Sequence, residues 1–262
     1  MNQMLRKARV LLVTYYAHML EYRAELFFWT LSGSMSLIMM GIWMEAAGSG
    51  RFGLAPVDFA RYFIAAFTVR QLMLVWVIWE FEEQVVQGKL SPQLLQPIDP
   101  VWRHVAMHLS EQVARSPFLL VVLGLFFALY PQGFWLPTLE NLLLFILVII
   151  LAFIVRFSIQ YTAALLAFWT ERASAIEQLW FLLYLFLSGY IAPLEVFPPV
   201  VREIALWTPF PYFLHFPAAI LVGLPVNVPR GLMTMLGWGM IFYALNRWLW
   251  RRGLKHYSGM GA

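Results

Sequence analysis

Apolar residues run along this chain in long blocks, with polar residues confined mainly to the gaps between them. The first segment is mixed. Over residues 3–22, Lys7, Thr14, His18 and Glu21 share one helical stripe, interrupted by Leu11, while Leu5, Leu12, Tyr16 and Met19 line another about half a turn away. A helix divided in this way is expected to lie in the membrane interface, over residues 1–24. Apolar blocks then run from Leu26 to Met44, from Val57 to Trp79 with Arg70 inside, from Gln112 to Tyr130, from Asn141 to Trp169, from Ile176 to Ile191 and from Gly231 to Trp250. Each approaches or exceeds the roughly 20 residues that a helix needs to cross about 30 Å of hydrocarbon. The pattern predicts an all-α integral membrane protein with about six transmembrane helices, in one domain covering residues 1–262.

The punctuation between the blocks refines this. Gly48-Ser49-Gly50 is expected to turn the chain after the first span. Between the fifth and sixth blocks, residues 192–229 carry Pro193, Pro198, Pro199, Pro209, Pro211 and Pro217 among many apolar side chains. Prolines at this density break the segment into short helices, which membrane depth tolerates only where they pack on protein or line a cavity. A re-entrant helical hairpin on the outer side is expected there.

Composition makes lipid the main solvent: 61% of the 262 residues are hydrophobic and 12% are charged, against roughly a quarter charged in a soluble domain. A formal charge of +4 would raise nucleic acid as a ligand in a soluble protein, but here the basic residues flank apolar blocks and report orientation instead. Arg6, Lys7, Arg9, Arg23, Lys89, Arg103, Arg172, Arg247, Arg251, Arg252 and Lys255 collect on one side, whereas the other holds Arg51, Arg202 and the borderline Arg61 and Arg230. The richer side is expected to be cytoplasmic, with both termini there and the protein multi-pass in the cytoplasmic (inner) membrane. The basic opening resembles a signal peptide, yet no small-x-small cleavage site precedes Glu21, so the segment is expected to be retained.

The chain has no cysteine, which excludes disulfides, thiolate metal sites and cysteine nucleophiles. It also makes the orientation easy to test. A cysteine at Ser49 should react with an impermeant thiol reagent added outside intact cells, and one at Gln93 should not. The reverse pattern would overturn the orientation.

The polar segment 80–104 carries the most information. The second helix is expected to overshoot into the cytoplasm and stop at Gly88, a good left-handed terminator. Ser91 before Pro92 reads as an N-cap with proline at the first helical position, and Pro97 limits the short helix that follows. Asp99-Pro100 repeats the start signal for the helix leading into the third span. The short helix would present Leu90, Leu94 and Leu95 with no membrane to bury them. Physics alone leaves two outcomes open: the leucines tuck under the protein's own helices, or they meet a soluble partner.

The run Gly88-x-Leu90-Ser91-x-x-Leu94-Leu95-x-Pro97-x-Asp99-Pro100, placed after the second of six spans and preceded by Glu82-Glu83, resembles the coupling region of type-two ATP-binding-cassette (ABC) exporter permeases. Ser188-Gly189, Pro193, Phe197-Pro198, Pro209-Phe210, Pro217 and Gly223 also stand in the order such permeases usually show. The resemblance covers nearly the whole chain. It implies a membrane subunit that dimerises with a second copy or a sister permease, binds ABC ATPase subunits through cytoplasmic helices, and exports a substrate by alternating access. Glu82, Glu83, Gly88, Leu90, Ser91, Leu94, Leu95 and Pro97 would form the contact with the ATPase. No cofactor is expected on this chain, ATP and magnesium belonging to the partner.

Other constellations are weaker. A phosphate-cradling loop needs Gly-x-x-x-x-Gly-Lys followed by Ser or Thr, and the only Gly-Lys pair, Gly88-Lys89, is followed by Leu90. His104 and His108 share a helical face, but no third metal ligand is evident and Val105 stands where a zinc protease carries Glu. They read as structural, as does the helical ion pair Glu111 and Arg115. Ser188-Gly189 lacks the frame of a nucleophile elbow. Arg70 and Arg156 lie inside spans, where an arginine costs roughly 2.5–3.5 kcal/mol unless paired or hydrated. Each needs a partner: either an anionic substrate or lipid headgroup, or an acid such as Glu177 or a carbonyl on a neighbouring helix.

The expected function is the membrane subunit of an ATP-driven exporter, not itself an enzyme. The alternative is an ATP-independent carrier or a membrane assembly factor. Carriers often show inverted repeats and a charged midplane site; no repeat is visible, and no clear intramembrane acid accompanies Arg70 and Arg156. A membrane enzyme would need an acid, base or nucleophile constellation, and none is evident.

Overall fold

The computed structural model describes residues 2–48 and 53–257, and every regular element among them is helical. Helix α1 (Asn2–Glu21) lies along α7 (Pro100–Leu129), where Ser110 Oγ donates to the Leu12 carbonyl at 3.0 Å. Its half-buried positions are Leu11, Tyr15 and Met19, four apart on one face. Leu5, Leu12 and Tyr16 stay exposed. The stripe that meets protein is thus rotated from the apolar stripe of the sequence pattern, part of which is left for lipid.

The first passage joins α2 (Arg23–Leu31) to α3 (Met35–Ala47) through a single 3-10 turn at Ser32–Ser34. Gly48 caps α3, and the expected turn continues into residues 49 and 50, which lie outside the described residues.

The second passage is not one helix. It consists of α4 (Pro56–Leu72) and α5 (Val77–Val86), separated by a break at residues 73–76 that the apolar block conceals. The break removes intrahelical partners from the Leu72 carbonyl and the Trp76 N–H, and α7 supplies both. Gln112 Nε2 donates to the Leu72 carbonyl at 2.7 Å, and His108 Nε2 accepts the Trp76 N–H at 2.7 Å. His108 Nδ1 donates to the His104 carbonyl at 2.7 Å, which fixes the neutral tautomer able to accept at Nε2. Irregular backbone inside a membrane protein survives on such substitutions. Within α7 itself, Pro117 frees the Val113 carbonyl, and Ser116 Oγ takes it at 2.8 Å.

Helix α8 (Leu139–Ala164) starts at the Thr138 cap, whose hydroxyl accepts the Asn141 N–H at 3.2 Å, and tightens into a 3-10 turn over Leu165–Phe168. It pairs with α12 (Val228–His256), as α3 pairs with α4. Among the described residues four passages are long and apolar enough to cross a membrane: Arg23–Ala47, Pro56–Val86, Pro100–Leu129 and Leu139–Phe168. Helix α12 is long enough, but its Gly, Trp, Tyr and Asn residues dilute its hydropathy. Helix α9 (Ala175–Leu187) is apolar but only 13 residues, about 20 Å of helix. It stops before Ile191, where the apolar block ends, because Ser188 and Gly189 reverse the chain with Gly189 at φ 87.

The proline-rich segment forms the expected hairpin of short helices. Helix α10 (Pro199–Trp207) is followed by a 3-10 turn at Phe210–Phe213 and by α11 (His215–Val222), which wedges between α4 and α8 and is buried over most of its length. Arg230 of α12 donates to both carboxylate oxygens of Glu203 on α10, at 3.1 and 2.7 Å, and these bonds hold the exposed Glu203 carboxyl below the usual carboxylate range. The hairpin is thereby tied to the last helix by an exposed ion pair, while Phe59, Phe63, Tyr62 and Phe213 fill the core beneath it.

Candidate functional site

Two features sit at opposite ends of α5: an elbow beyond its C-terminus and a cleft beside its N-terminus. The elbow begins as the sequence indicates. Gly88 adopts φ 70, open to glycine without steric cost, and the Leu90 N–H folds back onto the Gln84 carbonyl at 3.0 Å. Helix α6 (Ser91–Leu94) follows, one residue out of step with the expected cap. Leu90 occupies the cap position with helical backbone, and Ser91 Oγ instead shares a hydrogen bond with Tyr257 Oη at 3.2 Å.

Leu90 requires a correction. It is 0% exposed and belongs to the main core, whereas Leu94 and Leu95 are 36% and 89% exposed. The reversal at Gly88 turns Leu90 back under α5, so it anchors the elbow while Leu94 and Leu95 are presented. Further ties fix the base. The Pro97 carbonyl accepts from Lys7 Nζ of α1 at 3.4 Å, Gln96 accepts from Arg103, and Asp99 caps α7 by accepting the Val101 N–H at 3.1 Å.

The acidic pair divides, because neighbours on a helix diverge by about 100°. Glu83 is exposed and meets Lys89 at 2.8 Å. Glu82 turns inward, where its two carboxylate oxygens accept the Ser174 N–H at 2.6 Å and the Ser174 hydroxyl at 2.9 Å. Ser174 is the N-cap residue of α9, so α5 caps α9 with a negative charge at the positive end of its dipole. Glu80, two residues before Glu82 on α5, lies 3.2 Å from His104 Nδ1 of α7. The two histidines of the sequence pattern therefore serve α5: His104 pairs with its Glu80, and His108 closes the break above it.

The cleft, about 290 Å³, brings Arg70 of α4 and Arg156 of α8 together with Trp76, Trp79, Glu177 and Trp180. Arg156 is 8% exposed and stacks over the Tyr184 ring at 5.0 Å, while Arg70 stacks over the Tyr190 ring at 5.4 Å. The two rings are 6.1 Å apart, so an Arg-Tyr-Tyr-Arg stack joins the two cations. Glu177 feels the charge of Arg156, but its oxygens are held by the Gln160 amide at 3.0 and 3.1 Å. Neither guanidinium has a hydrogen-bond acceptor or an ion-pair partner among the described residues, and Arg156 Nε and Arg70 Nη1 are buried without one. Tyr184 and Tyr190, buried within or just after an apolar block, carried no signal in the sequence.

Two polar clusters lie apart from this axis. Arg115, 1% exposed, lies 3.0 Å from Glu111, as its spacing on α7 indicates. Beside the hairpin Tyr62 Oη donates to the Gly189 carbonyl at 2.8 Å and lies 3.2 Å from His215 Nδ1, and His215 Nε2 lies 3.4 Å from Glu195. A Cβ at Gly189 would stand 2.5 Å from that tyrosine oxygen, so this turn needs glycine for space as well as for φ. Nothing in the sequence pairs these residues, which lie in three separate segments.

Long apolar passages, a buried hairpin of short helices and side-chain repair of broken backbone define a polytopic α-helical membrane protein. A family model described as "ABC-2 family transporter protein" matches residues 57–261. The chain belongs to that family: it is a multi-pass membrane transport subunit, a permease of the type-two ABC kind. A search of curated proteins found no match.

Proposed function

We propose that this permease exports its substrate with energy from ATP hydrolysed on a separate ABC ATPase, working as a dimer with a second copy or a sister permease, in the inner membrane with both termini cytoplasmic. The observation that carries this reading is the elbow. Leu95, 89% exposed, caps the C-terminal end of a short helix whose base is anchored by Leu90, Tyr257 and Lys7. An apolar side chain held out from a fixed base suits a pocket on a soluble partner, where little ordering remains to be done on binding. The chain lacks a phosphate-binding loop, so the nucleotide belongs to that partner. Helix α5 then runs from the elbow to the cleft, and a movement imposed by the ATPase reaches the substrate path along it.

The test is co-purification. Leu94→Asp or Leu95→Asp should abolish recovery of the ATPase with the tagged permease, since a buried interface anchor contributes about 2 kcal/mol or more. Both variants should still insert and dimerise, and Gln87→Asp, on the turn before Gly88, should be milder. Unchanged ATPase recovery and transport in both leucine variants would remove the basis of this function.

A further inference from the structure

We propose that the cleft at the α4/α5 break is a binding site for an amphiphilic anion, its phosphate, sulfonate or carboxylate group held by Arg70 and Arg156 and its apolar part lying against Trp76, Trp79 and Trp180. Charge balance is the first argument. Three arginines lie in this region of the bundle, and the Glu111 carboxylate is paired with Arg115. Glu177 is engaged by Gln160 rather than by a guanidinium. Arg70 and Arg156 are therefore left over ring faces with no hydrogen-bonded acceptor, and Glu177 acts on Arg156 through its charge only.

Geometry is the second argument. A guanidinium that lies over an aromatic ring uses its face for the ring and keeps its N–H edge, which suits the oxygens of phosphate or carboxylate in bidentate fashion. Burial is the third. Arg156 is 8% exposed, and its Nη edge, unlike the buried Nε, is open to the cleft with no acceptor among the described residues, an arrangement that costs stability unless a ligand supplies one. The indole walls set the other half of the specificity, because they offer apolar surface beside the two cations. The volume of about 290 Å³ takes a headgroup with a ring or a short length of chain.

The same chemistry is offered by a membrane phospholipid and by a soluble amphiphile from the cytoplasm. As a binding site the cleft stands alone; as the transport site it rests on the permease function proposed above. Full-length protein in phosphatidylcholine nanodiscs separates the possibilities. One arm measures saturable binding of 1-naphthyl phosphate; the other measures retention of phosphatidylglycerol, added as a minor lipid, through repurification. Binding in either arm that weakens by about tenfold or more in Arg156→Gln and Arg70→Gln, as expected for loss of one charge-assisted contact, supports the site, and the arm that responds identifies the source.

Arg70→Lys keeps the charge and Trp79→Leu keeps the volume apolar, so these provide folded comparators should a glutamine variant fail to accumulate. Arg70→Lys should retain part of the binding, and Trp79→Leu should lose naphthyl phosphate more than phosphatidylglycerol. Binding by neither probe, or binding indifferent to Arg70 and Arg156, would overturn the site. Because no ATPase is present in this experiment, its failure leaves the elbow test untouched, and failure of the elbow test leaves this one to stand.

Discussion

Glu111→Leu should destabilise the protein by about 3–5 kcal/mol, because it leaves the Arg115 charge buried with no carboxylate. Arg115 is 1% exposed in the middle of α7, and Glu111 is its ion-pair partner at 3.0 Å. Water cannot take over the role of the carboxylate there, and a shift of the long side chain toward the membrane surface would pull it out of the core. The expected result is little or no folded protein in membranes, measured by fluorescence-detected size exclusion after mild solubilisation. The double variant Glu111→Leu/Arg115→Leu should recover most of the loss, since replacing both members of a buried pair with apolar residues is often close to neutral. Equal damage in the single and double variants would show that the pair is not the source of the effect.

Glu82→Ala should be nearly as damaging, but in a different way. Its carboxylate receives two hydrogen bonds at the start of α9, and bonds to a charged group contribute about 1.5–3 kcal/mol each. Without them the N-terminus of α9 loses its cap, and the wall of the cleft that carries Glu177, Trp180 and Tyr184 loses its connection to α5. Transport by the assembled complex should fall at least about tenfold, the equivalent of one such bond, while recovery of the ATPase is preserved. Glu82→Gln should retain part of the function, having one oxygen left to accept. Glu83→Ala, which removes only an exposed contact with Lys89, should change stability by less than about 1 kcal/mol. If Glu83→Ala matches Glu82→Ala, the acidic pair acts through the surface and the internal cap is irrelevant.

How far these features were legible in the sequence depended on whether their cause was local. The apolar blocks gave the passages because hydrocarbon thickness acts on each helix separately. Gly88 and Asp99-Pro100 announced their turns because a left-handed residue and a capped proline are specified within a few positions. The break at 73–76 had no such mark: Met73-Leu74-Val75-Trp76 contains neither glycine nor proline, and the interruption exists because α7 offers His108 and Gln112. A trace of this was present, since His104, His108 and Gln112 form a polar stripe at spacing four where a helix enters the membrane. Leu90 was misplaced for the same reason, its burial being decided by elements distant in sequence. The capping of α9 by Glu82 and the stacking of both arginines on tyrosines are likewise contacts between segments, which a single sequence does not pair.

The interruption between α4 and α5 has a mechanical meaning. A continuous helix is a stiff rod, and a push at its elbow end would carry torque to its other end, where α4 grips α11. A rod interrupted at residues 73–76 and pinned by two side-chain bonds is a pivot. The inner arm can swing at the expense of two hydrogen bonds, about 0.5–1.5 kcal/mol each, while the outer arm stays seated in its aromatic bed. In the ATP-driven cycle proposed above, work delivered at the elbow is spent around the pivot, and the seal on the far side of the membrane need not loosen at the same moment.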